Sequence, residues 1–525
     1  MVLVILTFLF FSCGEPEGGG SYNNTGNLPA SPFWALNCRN NSFYRVYASL
    51  RHSGSHCEIW VEKGNNVSDS MAKDIANEFD LYIYNQMIDT FSIKNENGFV
   101  YNYDTNEMVS YDGTNGEVIG HNIMDLGYWM TGKNNKKLII LILDIQDSYT
   151  TSNGSYVAGY FLANNFFDNQ YSNAQNIIYI DSYPGTPGSP ASNTTLAHEM
   201  QHLMNFVTSY WFRHENVVYH PMDLWIDEGL SAAAEWVYGN ASPEITDEHP
   251  ADRWKWFNED TKYFKGVKGL ISSRGNNFFV WGNHEKDDPN AILDDYSTVY
   301  LFFQWLRLQA EYHGYNYIFR DIMNYGISDT EIINDYKAVT GAASERISGY
   351  GFNDWGTLLK TWMAANYINA PGGIYGYMND PTLKKIKANT VYNGTKNISL
   401  VSGEGVYSTI NAGVNPSSSK FINYAGLSDT LNESGPFTGG VLLTCNVDTN
   451  KVYYSDGTEN GTARTGEITG NPSANFVPDQ LNRQISGSYG PYSVSAADML
   501  RQNGSNEKFS GPLAVTKLKE RMVRE

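Results

Sequence analysis

The stretch "LAHEMQHLMNF" (196–206) carries two histidines four residues apart, with a glutamate directly after the first. Neither Gly nor Pro interrupts it, so the pattern predicts a helix. One helical turn separates His198 from His202, and both project from the same face. At that separation two imidazole nitrogens can reach one zinc ion, each at about 2.0–2.1 Å, while Glu199 points to one side, where it can meet a metal-bound water. The stretch therefore predicts one wall of a metal site.

The motif is specific in this chain because histidine is scarce. With 10 histidines in 525 residues, a chance H-E-x-x-H is expected only about one time in a hundred. The alternative is a hydrogen-bonded pair of core histidines. We expect Thr194 or Thr195 to cap the helix and Leu196 to begin it.

A third ligand is expected from "WIDEGLSAAAEW" (225–236), which is typical of a second helix, capped by Asp223. Glu228 follows His202 by 26 positions, and Glu235 shares its face because the two acids are seven residues apart. Two carboxylates on one face of an apolar helix are costly to bury without a positive partner. A zinc ion with its histidines would supply that charge. The alternative for Glu228 is an acid favoured by the helix dipole in the first turn.

Cysteine usage bears on the kind of zinc site. Closed structural sites have four protein ligands and are rich in cysteine, whereas a hydrolytic site keeps its fourth position for water. The chain has four cysteines and no C-x-x-C pair, which disfavours a structural zinc site. In an oxidising compartment Cys38 and Cys57 can be joined, leaving Cys445 as an odd thiol.

Together, H-E-x-x-H and the downstream "WIDEGLS" resemble the gluzincin metallopeptidases and look most like the hyicolysin-type bacterial family among them. The resemblance covers about residues 55–365. It implies a zincin-like fold and one catalytic Zn²⁺ held by His198, His202 and Glu228. It also implies that Glu199 is the general base and acid.

Two more residues are expected to support the ligands. Glu235 resembles the acid, seven residues beyond the glutamate ligand in related enzymes, that orients a ligand histidine. We assign Asn205, three residues after His202, to the same supporting layer.

Gluzincins also need a donor for the developing oxyanion. The stretch "DDYSTVYLFFQWL" resembles the tyrosine-bearing helix of related aminopeptidases, which indicates Tyr296 as the donor. The alternative is that Tyr296 only packs in the core. His214, His220 and His284 are other candidate donors.

Strand-like runs come first and helical periodicity follows, which predicts an α+β chain. We expect a mixed sheet plus active-site helix, then a mainly helical subdomain, with an additional C-terminal β domain. A hairpin is expected over 43–64, a helix over 70–91 and strands over 137–145, 156–162 and 176–183. The predicted regions are a signal peptide (1–12), a flexible tether (13–32), an N-terminal β-rich region (33–115), an upper catalytic subdomain with the H-E-x-x-H helix (116–210), a helical lower catalytic subdomain (211–380) and a C-terminal β-rich domain (385–525).

The N-terminus predicts export. Its apolar run is too short to span a bilayer and has the length found in signal peptides. The small residue before Cys13, after such a run, resembles a bacterial lipobox. This resemblance implies that Cys13 becomes lipidated and that the protein contacts the membrane through that lipid only. No Lys or Arg precedes the run, however, and Phe10 and Phe11 are bulkier than usual lipobox residues. The alternative is a plain cleaved signal, so the expected location is the bacterial cell envelope or the extracellular space.

Charge limits the partners. A formal net charge of −20 and a pI near 4.9 would repel phosphate backbones, so no nucleic acid is expected. The expected partner is a peptide or protein substrate. The acidic stretches "DIQD" (144–147) and "EKDDPN" (285–290) are candidate Ca²⁺ sites, although no EF-hand spacing is present.

The implied reaction is hydrolysis of peptide bonds within chains. An endopeptidase is preferred to an aminopeptidase because the Gly-x-Met-Glu-Asn motif of aminopeptidases does not occur in the sequence. A strand such as "YVAGYFL" (156–162) can bind an extended peptide by strand addition. The main alternative is a surface lipoprotein that keeps the fold but acts by binding proteins. The intact Glu199 argues against that alternative, since a binding protein needs no general base.

Overall fold

The computed structural model describes several stretches of the chain with gaps between them. Backbone and side chains are described for residues 30–92, 137–151, 156–167, 170–210, 221–245, 296–325, 333–354 and 369–386, and at positions 123, 124, 127, 131, 253, 254, 357, 358, 361, 362, 365 and 366. The backbone alone is described for 211–212, 291–295 and the strands that lie outside these stretches. Two compact units are present, one of residues 1–207, 237–244 and 493–525 and the other of residues 208–236 and 245–492.

The first unit is built on a seven-stranded mixed sheet. The strands in this part of the chain, inside and outside that sheet, are β1 (Val2–Leu3), β2 (Ile5–Thr7), β3 (Ser31–Asn37), β4 (Ser42–Ser53), β5 (Cys57–Glu62), β6 (Phe99–Asn102), β7 (Glu107–Ser110), β8 (Leu138–Leu143), β9 (Tyr156–Phe161) and β10 (Ile177–Asp181). The sheet has the order β2-β9-β10-β8-β5-β4-β3, while β6 pairs only with β7 and β1 pairs with a strand at Ser493–Val494. The strands expected over 137–145, 156–162 and 176–183 are confirmed as β8, β9 and β10.

The centre of this sheet is parallel and buried on both faces. Strand β8 runs parallel to β5 on one side and to β10 on the other, whereas β9, β4 and β3 are antiparallel to their neighbours. Every residue of β8 ("LIILIL") and β10 ("IIYID") is buried. A continuous apolar run is what a central parallel strand requires, because helices cover both of its faces. The expected hairpin over 43–64 is confirmed as β4 and β5, with a bulge between Leu50 and His52.

The order of the strands excludes the disulfide bond that Cys38 and Cys57 could have formed. Cys38 directly follows β3 and Cys57 begins β5, and β4 lies between these strands. Strands two apart are separated by about 10 Å, which exceeds the roughly 7 Å that a disulfide can bridge between Cα atoms. The end of β3 also pairs with the start of β4, whereas the start of β5 pairs with its end. Both thiols are therefore free, and burial raises the pKa of Cys38 to about 12.

Seven α-helices are described. They are α1 (Asp69–Glu78), α2 (Asn85–Phe91), α3 (Pro190–Phe212), α4 (Leu224–Ala241), α5 (Ala291–Tyr312), α6 (Ile318–Asn324) and α7 (Tyr336–Arg346). A π-helical segment, Phe79–Tyr84, joins α1 to α2, so the helix expected over 70–91 is confirmed as one continuous helical run. No helix among the described residues is both long and apolar enough to cross a membrane.

Helix α3 begins earlier than the sequence predicted. It starts at Pro190, and the Ser189 hydroxyl accepts a hydrogen bond from the backbone N–H of Ser192 at 3.3 Å. Proline suits a first helical position because the N–H that it lacks would have no partner inside the helix. Thr194 and Thr195, expected as caps, lie inside the helix and donate their hydroxyls to the carbonyls one turn back, at 2.7 and 3.1 Å. The prediction of a start at Leu196 was wrong, because Ser189 and Pro190 provide a start signal further upstream.

The second unit carries α5, α6, α7 and several small antiparallel sheets. Its strands are β11 (His214–Glu215), β12 (Val218–Tyr219), β13 (Ile327–Ser328), β14 (Glu331–Ile332), β15 (Asn397–Ser402), β16 (Ser408–Ala412), β17 (Val441–Asn446), β18 (Lys451–Asp456) and β19 (Arg464–Glu467). The last five form an antiparallel sheet of order β16-β15-β17-β18-β19. The expected β structure is thus found in this part of the chain, while its separation as a domain over 385–525 stays a prediction.

Candidate metal centre

Helix α3 presents both histidines of the motif to the interior. The side chains of His198 and His202 are 1% and 2% exposed, and their ring centroids are 4.8 Å apart. Five turns or more of uninterrupted helix hold them, because the helix extends from Pro190 to Phe212. One helical face therefore supplies two imidazoles, as the spacing predicted.

The third member of the group comes from α4. The Glu228 carboxylate is fully buried, and one ligand atom from each of His198, His202 and Glu228 lies within 4.8 Å of the other two. Bonds from zinc to imidazole and carboxylate are about 2.0–2.2 Å long, so donor atoms gathered in this way could hold one ion. Within the described part of the chain, these are the residues that gather in this way.

The chemistry of this donor set fits zinc. Two neutral imidazoles and one carboxylate are ligands that zinc accepts, and three protein ligands leave one coordination position for water. A buried carboxylate also needs a positive charge nearby, which a divalent cation provides. The residues present therefore fit a catalytic zinc ion better than a closed structural one.

Glu199 and Asn205 lie on the same helix as the histidines. Glu199 is 0% exposed and Asn205 is 3% exposed. Burial of an acid directly beside a ligand histidine is the arrangement that a general base requires, since it keeps the carboxylate within the water-excluded site. Their roles stay predictions, while their positions agree with them.

The entry of α4 is fixed by backbone and side-chain hydrogen bonds. The Asp223 N–H donates to the carbonyl of Asn334 at 2.8 Å, and the Asn334 side chain donates to the carbonyl of Pro221 at 2.9 Å. The N–H groups of Ile226 and Asp227 donate to the carbonyl of Asp223, at 2.9 and 3.1 Å. Burial, with a smaller contribution from Asp335, raises the pKa of Asp223 to about 7. These contacts hold the first turn of α4, which directly precedes Glu228.

A glycine directly after Glu228 permits close packing of α4 on α5. A Cβ at Gly229 would lie 2.3 Å from Cε2 of Phe303, which is closer than side chains approach one another. The Trp225 ring packs beside it, with its centroid 6.1 Å from that of Phe303. The Glu-Gly pair of the motif thus has a steric reason, because the carboxylate and the close helix contact are needed at adjacent positions.

Glu235 is paired with an arginine that the sequence did not single out. The guanidinium of Arg253 donates to both Glu235 oxygens, at 2.7 and 2.9 Å from Nη2 and 3.3 Å from Nε, and both side chains are buried. We expected zinc and its histidines to compensate both carboxylates of α4; for Glu235 the compensating cation is Arg253. The signal that could have found it is the charge itself, since a buried acid requires a partner.

Tyr296 is buried in the second unit and lies under the same arginine. It is 1% exposed, and Cζ of Arg253 lies 5.1 Å from the centroid of its ring. The other candidate donors, at positions 214, 220 and 284, have side chains outside the described residues. The same holds for Cys13 and for the acidic stretch at 285–290.

The remaining acidic stretch, 144–147, has a structural role. The Asp147 carboxylate accepts hydrogen bonds from the N–H groups of Tyr149 and Val157, at 2.7 and 2.6 Å, and so holds the loop before β9. This stretch is not among the described groups that could hold a metal ion. Calcium at either stretch stays without support from the structure.

Comparison with known proteins agrees with the geometry. The chain is 26% identical over 367 residues to the neutral metalloprotease ShpI of Staphylococcus hyicus, a match that spans 68% of this chain and 67% of that protein. No protein-family model matches the chain. This homology confirms the resemblance to the hyicolysin-type metallopeptidases and the expectation of a zinc metallopeptidase, and the mixed sheet with helices is consistent with such a fold.

Proposed function

We propose that this zinc metallopeptidase is an exported endopeptidase that hydrolyses peptide bonds within protein or peptide substrates. The observation that carries the proposal is the convergence of His198, His202 and Glu228 within 4.8 Å, with Glu199 buried beside them. The similarity to a neutral metalloprotease supports the reaction class. The proposal covers cleavage within chains, export of the protein and the role of each site residue.

His198, His202 and Glu228 would hold the ion. Zinc bound there would supply a Lewis acid that makes water nucleophilic near neutral pH and polarises a carbonyl group. Glu199 accepts the proton of the attacking water and then delivers it to the leaving amine, so one carboxylate serves as base and acid. Tyr296 donates a hydrogen bond from its phenol to the carbonyl oxygen as negative charge develops there.

Strand β9 supports cleavage within chains. It pairs antiparallel with β10 on one side and with β2 on the other, where Leu6 lies opposite Val157. A Cβ at Gly159 would lie 2.8 Å from Cγ2 of Thr195, so β9 runs close to α3, one turn before His198. Residues 5–7 belong to the predicted signal peptide. Its removal leaves β9 as the edge strand, where an extended substrate can pair in place of β2 and continue in both directions.

Export rests on the N-terminal sequence. The apolar run and Cys13 are the features that support a cleaved leader and a lipid on the new N-terminus. Metabolic labelling with a radioactive fatty acid tests this. We expect label on the wild type and none on Cys13→Ser, whereas equal label on both would contradict lipidation at Cys13.

The test of the activity compares two substrate classes and one variant. Purified protein should bind one zinc ion per chain and degrade casein, with little action on aminoacyl-anilides; activity confined to the anilides would favour an aminopeptidase. Glu199→Gln should keep the zinc ion and lower kcat about 10²- to 10⁴-fold, because only proton transfer is removed. A protein that binds casein without cutting it, with wild type and variant alike, would favour the surface-binding alternative.

A further inference from the structure

Arg253 and Glu235 form a buried ion pair with two-pronged geometry. Both residues are nearly inaccessible, at 5% and 4% exposure, and three donor–acceptor distances between them lie from 2.7 to 3.3 Å. Taking two charges out of water is expensive, and such pairs often contribute little net stability. The role of this pair therefore depends on what else its charged groups contact.

The same guanidinium covers the ring of Tyr296. Its Cζ atom is 5.1 Å from the ring centroid, within the distance at which a cation is attracted to an aromatic face. Tyr296 is itself 1% exposed, so this attraction acts away from water. Arg253 thus contacts α4 through Glu235 and α5 through Tyr296.

Glu235 is rigidly connected to the zinc ligand on α4. It follows Glu228 by seven residues on the same helix, which places the two carboxylates on one face, two turns apart. A force that fixes Tyr296 relative to Glu235 therefore also fixes it relative to Glu228. The planar guanidinium suits this task because it can pair with a carboxylate in its plane and stack on a ring with its face.

We propose that Arg253 is a positioning residue that holds the phenol of Tyr296 in register with the zinc-binding helix through its pair with Glu235. This inference rests on the proposed function, since it requires that Tyr296 takes part in the reaction. Arg253 acts through Tyr296 and needs no contact with the substrate. Its loss should therefore lower kcat and leave both KM and zinc content nearly unchanged.

The alternative is that the pair serves stability alone. In that case Arg253→Met harms the protein by leaving Glu235 charged and buried, and adding Glu235→Gln restores the thermal midpoint and the activity together. Under our proposal the double variant recovers its thermal midpoint but not its kcat. Arg253→Lys should recover part of kcat, because it keeps the charge and loses the planar fork.

A matched control exists in the same unit. Arg346 donates to both oxygens of Asp321, at 2.7 and 3.2 Å, and its Cζ also lies 5.1 Å from a tyrosine ring, that of Tyr315. Neither Asp321 nor Tyr315 is among the metal-binding or catalytic candidates. Arg346→Met should leave kcat unchanged while removing the same kinds of contact from a more exposed pair.

The decisive experiment is a double-variant cycle on the zinc-loaded, full-length protein. Kinetics on a fluorogenic peptide, zinc content and thermal unfolding are measured for Arg253→Met, Tyr296→Phe and the two combined. We expect each single change to lower kcat about 10- to 100-fold, and the combination to be no worse than Tyr296→Phe alone. If the two changes lower kcat independently, so that their factors multiply, the positioning role of Arg253 is overturned while the function of Tyr296 stays intact. A Tyr296→Phe variant with wild-type kcat would overturn both, and an absence of zinc-dependent proteolysis in the wild type would overturn the proposed function itself.

Discussion

Two neighbouring acids near the start of α4 differ in their surroundings. Glu228 is fully buried and groups with His198 and His202, whereas Asp227 is only half-buried. The sequence left open whether an acid near the start of this helix is a ligand or a group favoured by the helix dipole. The geometry separates the two cases, because only Glu228 brings an oxygen within 4.8 Å of both imidazoles.

The two acids provide a matched pair of variants. Glu228→Gln should lower zinc affinity at least tenfold, since it removes the anionic ligand, and activity should fall with zinc occupancy. Asp227→Asn should change the free energy of unfolding by less than about 1 kcal/mol, as expected for a dipole interaction, and keep the zinc. Competition with a chromogenic chelator measures the zinc affinity of both variants. Equal zinc affinity in the two variants would contradict the ligand assignment.

The buried Asp181 at the end of β10 should make stability depend on pH. Burial raises the pKa of its carboxyl to about 7, against hydrogen bonds from the N–H groups of Ile145 and Gly185. The folded state therefore binds the proton more tightly than the unfolded state. This contribution to stability is complete below pH 3.8, the ordinary value, and is lost as pH rises through about 7.

The expected size of that loss is up to about 4 kcal/mol between those limits. Urea unfolding at several pH values should show a stability that falls more steeply for the wild type than for Asp181→Asn, whose side chain does not titrate. Identical pH dependence in the two proteins would show that this carboxyl ionises normally.

Glu228 and Arg253 show what spacing along the sequence can and cannot predict. Glu228 was predictable because its helix has a recognisable motif and a fixed distance from the histidines. Arg253 was not, because it lies 18 residues beyond Glu235, outside α4, where no periodicity connects the two. A contact of this kind follows from the folded path of the chain and from the need to neutralise a buried acid.

At the scale of elements, the position of α4 depends on its close approach to α5. Gly229 has no side chain where Phe303 fills the space, and the same approach brings Trp225 against Phe302 and Phe303. The boundaries of helices were harder to predict than their existence. Helix α3 begins at Pro190, six residues before the expected start. Ser189 and Pro190 are as good a start signal as the threonines that were expected to cap the helix.

Gly229→Ala should push α4 away from α5. The added methyl group overlaps the Phe303 ring, so we expect a destabilisation of about 1–3 kcal/mol and a lower affinity for zinc, because Glu228 moves with the helix. Adding Phe303→Leu should restore part of both. Calorimetry and zinc titration provide the measurements.

Gly341 on α7 is the control for that variant. A Cβ there would lie 1.9 Å from the Tyr325 ring, so Gly341→Ala should also destabilise the protein, yet leave zinc affinity unchanged. A similar loss of zinc affinity in both variants would show that general destabilisation, and not displacement of Glu228, is the cause.

At the scale of the whole molecule, we expect metal binding and folding to be coupled. Glu228 follows His202 by 26 positions, so the three ligands come together only in the folded chain. The sequence predicted which segments form strands and helices, since periodicity is local. The order of the strands was not predictable in the same way, because β8 pairs with β5 and β10 across long separations in the chain.

Removal of zinc should therefore lower stability as well as activity. We expect 1,10-phenanthroline to abolish peptide cleavage and to lower the thermal midpoint by several degrees, because an ion that binds only the native state stabilises it. Addition of zinc in excess of the chelator should restore both. An unchanged midpoint after complete metal removal would contradict the coupling.

The separation of Cys38 from Cys57 bears on how the protein can be produced. Cys38 follows β3 and Cys57 begins β5, with β4 between these strands, so the sheet forms without a disulfide bond between them. Recombinant synthesis in a reducing bacterial cytosol, without the leader and its strand β2, should yield the other six strands of this sheet folded, and dithiothreitol in the purification buffer should not unfold them.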